Sequence, residues 1–351
     1  MFLSRYFLQK YELFFFSEKC LMKIVKYLII IFYFASKNSK RAKTTKNMSY
    51  NYSIIIPHKN IPHLLMRCLD SIPIEDDVQI IIVDDNSAPT LVDFAHFPGS
   101  GRKNTEVIFT KEGKGAGYAR NVGLQHATGK WIVFADADDF FNDCFEDMLR
   151  FYARSEDDVV LFPFRSVNSD TLQYEKRDEA VPKFILNDRL NNFEKQILTV
   201  TAWSRLIKRE CIEENHIRFE EVPYANDVMF GTQVGCLAKR ITVDKEHYIY
   251  TVTSRSGSLI TQHPRTALYS RLYAEIRRNK YLKTHHYKHL MMSCNGIYYL
   301  SWARTISAKD FLHTLWILLS NLPYFRKNYS YQEYLLNRFI PLVKKLSLLK
   351  Q

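Results

Sequence analysis

The segment "WIVFADADDFF" (residues 131–141) places three carboxylates directly after an apolar run. The run from Trp131 to Ala135 is typical of a buried β-strand. The carboxylates of Asp136, Asp138 and Asp139 follow it and repel one another. A divalent cation such as Mg²⁺ or Mn²⁺ binds oxygen ligands and is the simplest group that would stabilise them. A simpler interpretation is a solvated acidic loop that begins a helix, whose dipole favours carboxylates in the first turn. The pattern predicts a strand that ends in an acidic, potentially metal-binding cluster.

Four further apolar runs surround this strand and predict the fold class. They are "YSIII" (52–56), "VQIIIV" (78–83), "EVIF" (106–109) and "DVVLF" (158–162). Helical patterns separate them, which favours an α/β fold with a mostly parallel sheet flanked by helices. Ligands bind such sheets at the carboxyl ends of the strands. Because "DDNS" follows the second run, we expect both acidic sites to share one edge of the sheet.

The charge is distributed unevenly along the 351 residues. Residues 1–50 contain ten Lys or Arg and two Asp or Glu, and residues 261–351 contain fifteen and three. Residues 51–260 contain 24 and 32, so the middle of the chain is acidic. This pattern argues against a nucleic-acid-binding domain and favours a catalytic domain whose flanks face an anionic partner. The six scattered cysteines form no C-x-x-C pair, which is typical of reduced thiols in a cytoplasmic protein.

The two ends of the chain raise the question of membrane contact. The apolar run at residues 26–35 is too short for a spanning helix, which needs about 20 residues. We therefore expect residues 1–47 to be an extension before a functional start at Met48 or, failing that, an interfacial anchor. Residues 263–351 predict a basic helical region, with apolar faces in 314–325 and 334–349. It is either a surface for anionic lipid or a solvated helical subdomain.

Four motifs together resemble the family-two glycosyltransferases with the A-type nucleotide-sugar fold. They are "SIIIPHKN", "IIIVDDNS", "GYARNVGLQHATGKWIVFADADDFF" and "YANDVMF". The first three cover residues 53–141 in the order of the family, and the fourth extends the match to about residue 230. The resemblance implies a catalytic domain over residues 48–262, a nucleoside-diphosphate sugar as donor and a divalent cation as cofactor.

The resemblance also implies roles for individual residues. Pro57 and Asp85 match the strand-end residues that hold the nucleotide base. Asp136 and Asp138 match the D-x-D motif, in which the first acid lies near the ribose and the second binds the metal. Asp227 matches the general base. Asp139 matches a frequent third acid whose role varies in the family.

Several positions keep alternatives open. Asn226 stands where the family usually has Glu, so Asp227 would act alone, and the loss of a like charge beside it should leave its pKa nearer that of an ordinary Asp. Arg120 either contacts the diphosphate or base, or packs a helix. His263 and Ser258 match a late segment that approaches the metal or diphosphate in some relatives.

The implied function is metal-dependent transfer of a sugar to an acceptor hydroxyl, with inversion, in cell-surface polysaccharide or glycolipid assembly. The expected partners are a nucleotide sugar, a saccharide or lipid-linked acceptor and the inner face of the cell membrane, but no nucleic acid. A membrane-associated scaffold that retains the fold without turnover is the alternative, and Asn226 favours it. A haloacid-type phosphatase is disfavoured because Phe140 stands where that chemistry needs Thr or Val.

Overall fold

The computed structural model describes residues 50–175, 180–255, 264–291 and 296–325. Two sheets contain ten strands, β1 (Tyr52–His58), β2 (Val78–Asp85), β3 (Thr105–Thr110), β4 (Trp131–Phe134), β5 (Phe140–Phe141), β6 (Val159–Leu161), β7 (Phe164–Asn168), β8 (Arg205–Lys208), β9 (Ile241–Val243) and β10 (Tyr250–Ser254). The α-helices in these residues are α1 (Pro62–Asp70), α2 (Ala116–His126), α3 (Phe145–Tyr152), α4 (Ala180–Leu186), α5 (Asn192–Leu198), α6 (Arg209–Glu214), α7 (Val228–Leu237), α8 (Arg265–Thr284), α9 (Gly296–Ile306) and α10 (Ala308–Ser320). Residues 1–47, Ser258, His263 and the apolar pattern at 334–349 lie outside the described residues.

The main sheet has seven strands in the order β3-β2-β1-β4-β8-β6-β9. Strands β1 to β4 are mutually parallel, whereas β8 runs antiparallel to both β4 and β6. The five predicted apolar runs form β1, β2, β3, β4 and β6, which confirms the mostly parallel α/β class. Strand β8 was not predicted, because only a charged helical pattern is apparent at 203–219. The helix in that stretch, α6, begins directly after the strand.

A smaller sheet, in the order β5-β10-β7, extends from the acidic end of β4. Strand β5 follows the acidic cluster directly and pairs antiparallel with β10, which in turn pairs parallel with β7. No element was predicted for residues 163–200, where β7, α4 and α5 lie. This sheet supports the loop that contains the carboxylates.

Both faces of the main sheet are covered. Successive residues of β1 enter two different cores, with Ile54 and Ile56 on one face and Ile55 on the other. Helix α2 approaches the second face closely, since a Cβ on Gly123 would lie 2.4 Å from Ile55 Cγ2. This two-sided burial explains the continuous apolar runs in the sequence.

The C-terminal helices α8, α9 and α10 share a third apolar cluster. Tyr224, from the loop before α7, is also a member of that cluster. The loop that leads to Asp227 is therefore packed against the C-terminal helices. Among the described residues, none of the helices combines the length and the apolar character that crossing a bilayer requires.

Candidate active site

The two acidic sites lie at one edge of the sheet, as predicted. Asp84 and Asp85 end β2, the acidic cluster follows β4, and β1 runs in parallel between them. Asp84 is structural: its carboxylate lies 2.8 Å from His58 Nδ1 and accepts a hydrogen bond of 2.9 Å from the Ser87 backbone N–H. Burial opposes ionisation of Asp84, but the bonds from His58 and Ser87 hold its pKa below the ordinary value.

Asp85 has the features of a ligand-binding acid. Its Oδ2 accepts a hydrogen bond of 2.8 Å from the backbone N–H of Gly115, which has φ +95° and precedes α2. Its Oδ1 is buried without a hydrogen-bond partner in the described structure. Such an acceptor costs about 1–3 kcal/mol unless a ligand donates to it, and the N–H edge of a nucleobase fits that need. Pro57 is buried on the neighbouring strand β1, beyond the register with β4.

Arg120 connects the acidic cluster to the segment that contains the expected base. Its Nη2 donates to Asp136 Oδ1 at 2.5 Å and its Nη1 donates to Asn226 Oδ1 at 2.9 Å. The guanidinium lies over the Phe219 ring, 5.2 Å from its centroid, and Arg120 is only 5% exposed. Asn226 thus offers Arg120 an acceptor at the position where the family usually has Glu.

Asp139 supports the D-x-D loop through the small sheet. The Tyr250 hydroxyl donates to Asp139 Oδ2 at 3.0 Å, and the Thr253 backbone N–H donates to Asp139 Oδ1 at 2.7 Å. The same Tyr250 oxygen accepts a hydrogen bond of 2.8 Å from the Asp136 backbone N–H. Both oxygens of Asp139 therefore hold the loop against β10.

A second set of contacts fixes the backbone of Asp138. Its carbonyl oxygen accepts from Arg67 Nη2 at 2.6 Å and from Thr253 Oγ1 at 2.7 Å. Arg67 also donates to the Ser169 carbonyl at 2.8 Å, so helix α1 and the small sheet hold the loop from two sides. Such surroundings pre-organise a ligand site.

The carboxylates suit a divalent cation. Ligand oxygens of Asp136, Asp138 and Asp139 lie within 4.8 Å of one another. Burial and the nearby Asp136 charge raise the pKa of Asp138. A bound cation would reverse this rise because it favours the ionised carboxylate. Arg255 Nε lies 3.2 Å from Asp138 Oδ2 and partly compensates the charge. Because Asp139 is fully engaged, Asp138 with Asp136 is the pair best placed to ligate Mg²⁺ or Mn²⁺.

Asp227 occupies the N-cap position of α7, yet its side chain makes no capping hydrogen bond. Burial raises the pKa of this carboxyl, and Asp136 adds to the effect, whereas Arg120 and Arg205 oppose it. The missing like charge at residue 226 is therefore not what decides this pKa, because burial raises it independently. A raised pKa brings a carboxylate closer to the range useful for a general base.

The loop before Asp227 is held close to α2. The Glu220 backbone N–H donates to the Asn226 carbonyl at 3.2 Å, which closes the loop formed by residues 220–226. Asn121 exchanges two hydrogen bonds with the Phe219 backbone, of 3.0 and 2.9 Å. A Cβ on Gly117 would lie 2.2 Å from the Glu220 carbonyl oxygen, so a larger residue could not lie there without a shift.

The structure brings Asp85, Asp136 and Asp138 to adjoining strand ends, and Arg120 of α2 links Asp136 to the segment of Asp227. The sequence did not single out the supporting residues Arg67, Tyr250, Thr253 and Arg255. The alternation in "YTVTS" (250–254) is a signal for a strand. Nothing in it indicates that this strand pairs with Phe140 and Phe141.

Comparison with known proteins identifies the domain. The model of "Glycosyl transferase family 2" matches residues 53–215. This match confirms the resemblance over residues 53–215. The matched residues include Pro57, Asp85, Arg120, Asp136 and Asp138 but end before Asp227.

Bacterial relatives are moderately similar. The poly(ribitol-phosphate) β-glucosyltransferase of Bacillus spizizenii is 29% identical over 217 residues, which is 58% of this chain and 32% of the relative. The Bacillus subtilis glycosyltransferase EpsJ is 26% identical over 221 residues, 60% of this chain and 64% of the relative. This chain thus spans about a third of the length of the Bacillus spizizenii relative.

A solved structure shares the fold. Residues 1–349 of Staphylococcus aureus TarS, in complex with UDP-GlcNAc, superpose with a TM-score of 0.58 and 20% identity. The superposition covers 76% of this chain and 79% of that one. At this identity the likeness establishes the architecture of the domain.

Proposed function

We propose that this protein transfers a hexosyl group from a nucleoside-diphosphate sugar to an acceptor hydroxyl, with inversion at the anomeric carbon. The observation that supports this most directly is the position of Arg120. It donates at once to Asp136 of the acidic cluster and to Asn226, the residue before Asp227. The proposed donor-binding acid and the proposed base would thus share one site.

In this proposal Asp85 and Pro57 hold the nucleotide base, and the unpartnered Oδ1 of Asp85 accepts a hydrogen bond from a base N–H. Asp136 lies near the ribose, where Arg120 fixes the orientation of its carboxylate. Arg120 would also offset part of the diphosphate charge. The UDP-GlcNAc bound by TarS supports a nucleoside-diphosphate donor.

Asp138 would hold a divalent cation together with Asp136. When bound there, Mg²⁺ or Mn²⁺ supplies positive charge that offsets the negative charge of the leaving diphosphate, an effect on the order of several kcal/mol. Arg255 lies beside the same carboxylate and adds a second cation to this side of the site.

Asp227 would be the general base. Its carboxylate removes the proton of the acceptor hydroxyl while that oxygen forms a bond to C1 of the sugar and the bond from C1 to the diphosphate oxygen breaks. A positioned base typically contributes about 10²–10⁴-fold in rate. Single displacement by the acceptor inverts the configuration at C1.

For the acceptor we propose a saccharide or lipid-linked chain in cell-surface polysaccharide or glycolipid assembly. The names of relatives that act on poly(ribitol phosphate) support this class. We further propose that the protein works at the cytoplasmic face of the membrane, where the basic residues of 261–351 would favour anionic lipid.

The test is a panel of nucleotide sugars with Mn²⁺, in which donor hydrolysis and nucleotide binding are measured by chromatography and calorimetry. The expected result is binding and hydrolysis with at least one donor, and their absence with all of them would refute the proposal. Asp227→Asn should abolish transfer and leave nucleotide binding intact. Binding without any turnover in the unaltered protein, across donors and acceptors, would favour the scaffold alternative.

A further inference from the structure

A groove lies beside the loop formed by residues 220–226, on the C-terminal helices. Its volume is about 570 Å³, within the range of ligand sites, which is roughly 300–1,000 Å³. The loop contributes Val222 and Pro223, α8 contributes most of the other side, and His313 comes from α10. None of the candidate donor-site residues lines it.

Four aromatic rings form a row along this groove and past its end. The centroid of Tyr273 lies 6.5 Å from that of Tyr269, which lies 5.4 Å from His313. His313 in turn stacks on Trp316 at 6.0 Å with an interplanar angle of 13°. Tyr273 is 39% exposed and Trp316 is 59% exposed, so both ends of the row are open to solvent.

Buried Asp310 fixes the position of Tyr269, near the centre of the row. Asp310 is 3% exposed and accepts a hydrogen bond of 2.6 Å from the Tyr269 hydroxyl. The same carboxylate pairs with Arg265 Nε at 2.7 Å and accepts from the Ser307 hydroxyl at 2.6 Å. A ring fixed before binding loses little conformational entropy when a ligand arrives.

The groove is continuous with the segment that contains the expected base. Pro223 lies in its wall, and Asp227 is four positions further along the chain, so their backbones are at most ~14 Å apart. Arg277, another lining residue, pairs with Glu220 at 2.6 Å and ties α8 to the start of the loop. A chain bound in the groove would lie within reach of Asp227.

We propose that this groove, extended by Trp316, binds the acceptor saccharide chain. This inference rests on the proposed function and names the place of its second substrate. Sugar rings have apolar C–H faces that pack on aromatic rings, and their hydroxyls bond to groups such as Ser270, Thr266 and the lining guanidinium groups. A bilayer would instead favour a convex face with Lys or Arg beside its apolar residues. The lining includes Arg265 and Arg277, but the groove is concave, which fits a bound chain better than the flat surface of a bilayer.

The experiment measures saccharide binding without donor, using the full chain and calorimetry. The probes are a short ribitol-phosphate oligomer and an uncharged N-acetylglucosamine tetramer, which separate phosphate recognition from sugar recognition. Tyr273→Ala and Trp316→Ala remove exposed rings of the row. Phe151→Ala, which removes a 73% exposed ring on α3, is the matched control.

We expect at least one probe to bind, and each groove variant to weaken its affinity on the order of three- to tenfold. Phe151→Ala should bind like the unaltered protein, and UDP affinity should be the same in all four proteins. Equal saccharide affinity in all of them, or no binding of either probe, would overturn the proposal. Loss of binding to phosphatidylglycerol vesicles with unchanged saccharide affinity would identify the row as a membrane contact instead. Failure of the donor reaction leaves these binding measurements intact, so the two proposals are tested separately.

Discussion

Asp227, the proposed general base, has a cost in stability. Burial raises its pKa, so the folded protein binds a proton at this carboxyl more tightly than the unfolded chain does. Where the folded state binds more protons, the free energy of unfolding decreases as the pH rises from the unfolded pKa through the folded one. At neutral pH the ionised Asp227 therefore destabilises the fold.

We predict that Asp227→Asn increases the free energy of unfolding at pH 7 and abolishes transfer. The difference in stability should disappear at about pH 3, roughly one unit below the ordinary pKa of about 3.9 for Asp, since Asp227 is then protonated in both states. Guanidinium denaturation at the two pH values measures this. A variant less stable than the unaltered protein at pH 7 would contradict the assigned direction of the pKa shift.

Tyr250 offers a second prediction at a single residue. Its hydroxyl donates to Asp139 and accepts from the Asp136 N–H, so Tyr250→Phe leaves two buried polar groups without this partner. We expect a loss of about 1–3 kcal/mol in the free energy of unfolding. The affinity for Mn²⁺, measured by calorimetry, should also fall because the loop is less well fixed. Tyr298→Phe, at a 42% exposed position, is the control and should change neither quantity.

Asp138 provides a test of metal binding that does not depend on turnover. Asp138→Asn removes the expected ligand charge but keeps the shape of the side chain and its backbone contacts to Arg67 and Thr253. We expect Mn²⁺ affinity to drop at least tenfold, as followed by electron paramagnetic resonance of free Mn²⁺. Asp143→Asn, outside the cluster, should bind Mn²⁺ normally. Equal affinity in both variants would remove Asp138 from the metal site.

At the scale of elements, Gly117 tests the coupling between α2 and the loop formed by residues 220–226. A methyl group at Gly117 would meet the Glu220 backbone oxygen at 2.2 Å, so the loop or the helix must move. We predict that Gly117→Ala lowers the free energy of unfolding by about 1–3 kcal/mol and reduces transfer more than nucleotide binding. Gln125→Ala, on the exposed side of α2, is the control. Unchanged transfer in Gly117→Ala would show that the loop tolerates displacement.

The sequence predicted the strands that are apolar throughout and the edge at which their acids meet. Ile54 to Ile56 or Val159 to Leu161 can be recognised without knowledge of neighbours, because burial on both faces leaves only apolar residues. Strand β8 was missed because Arg205 and Lys208 resemble a solvated pattern. Arg205 is in fact buried, and it donates to the Thr199 carbonyl at 3.0 Å.

The supporting contacts of the site could not be predicted for a related reason. Arg67 and Asp138 are 71 positions apart, and Tyr250 and Asp139 are 111 apart. Which side chain meets a strand end across such distances depends on the packing of the small sheet against α1. Local periodicity contains no information about that packing.

At the scale of the whole molecule, the separated charges predict a salt-dependent association. Residues 338–350 include Arg338, Lys344, Lys345 and Lys350, and each basic residue near an anionic bilayer contributes roughly 1 kcal/mol. Replacing all four by Gln should reduce sedimentation with phosphatidylglycerol vesicles by at least tenfold at low salt. UDP binding is the control for an intact catalytic domain. Undiminished sedimentation would mean that another part of the chain makes the contact.

The packing of Tyr224 against the C-terminal helices limits which parts of such a protein can be exchanged separately. Its ring is buried among the C-terminal helices, whereas Asp227 lies three residues later. A recombinant hybrid that exchanges only the helices would leave Tyr224 facing a foreign surface and would disturb the position of Asp227. Hybrids joined before residue 220 should therefore remain active more often than hybrids joined after α7, and new acceptor specificities would be inherited together with this short loop.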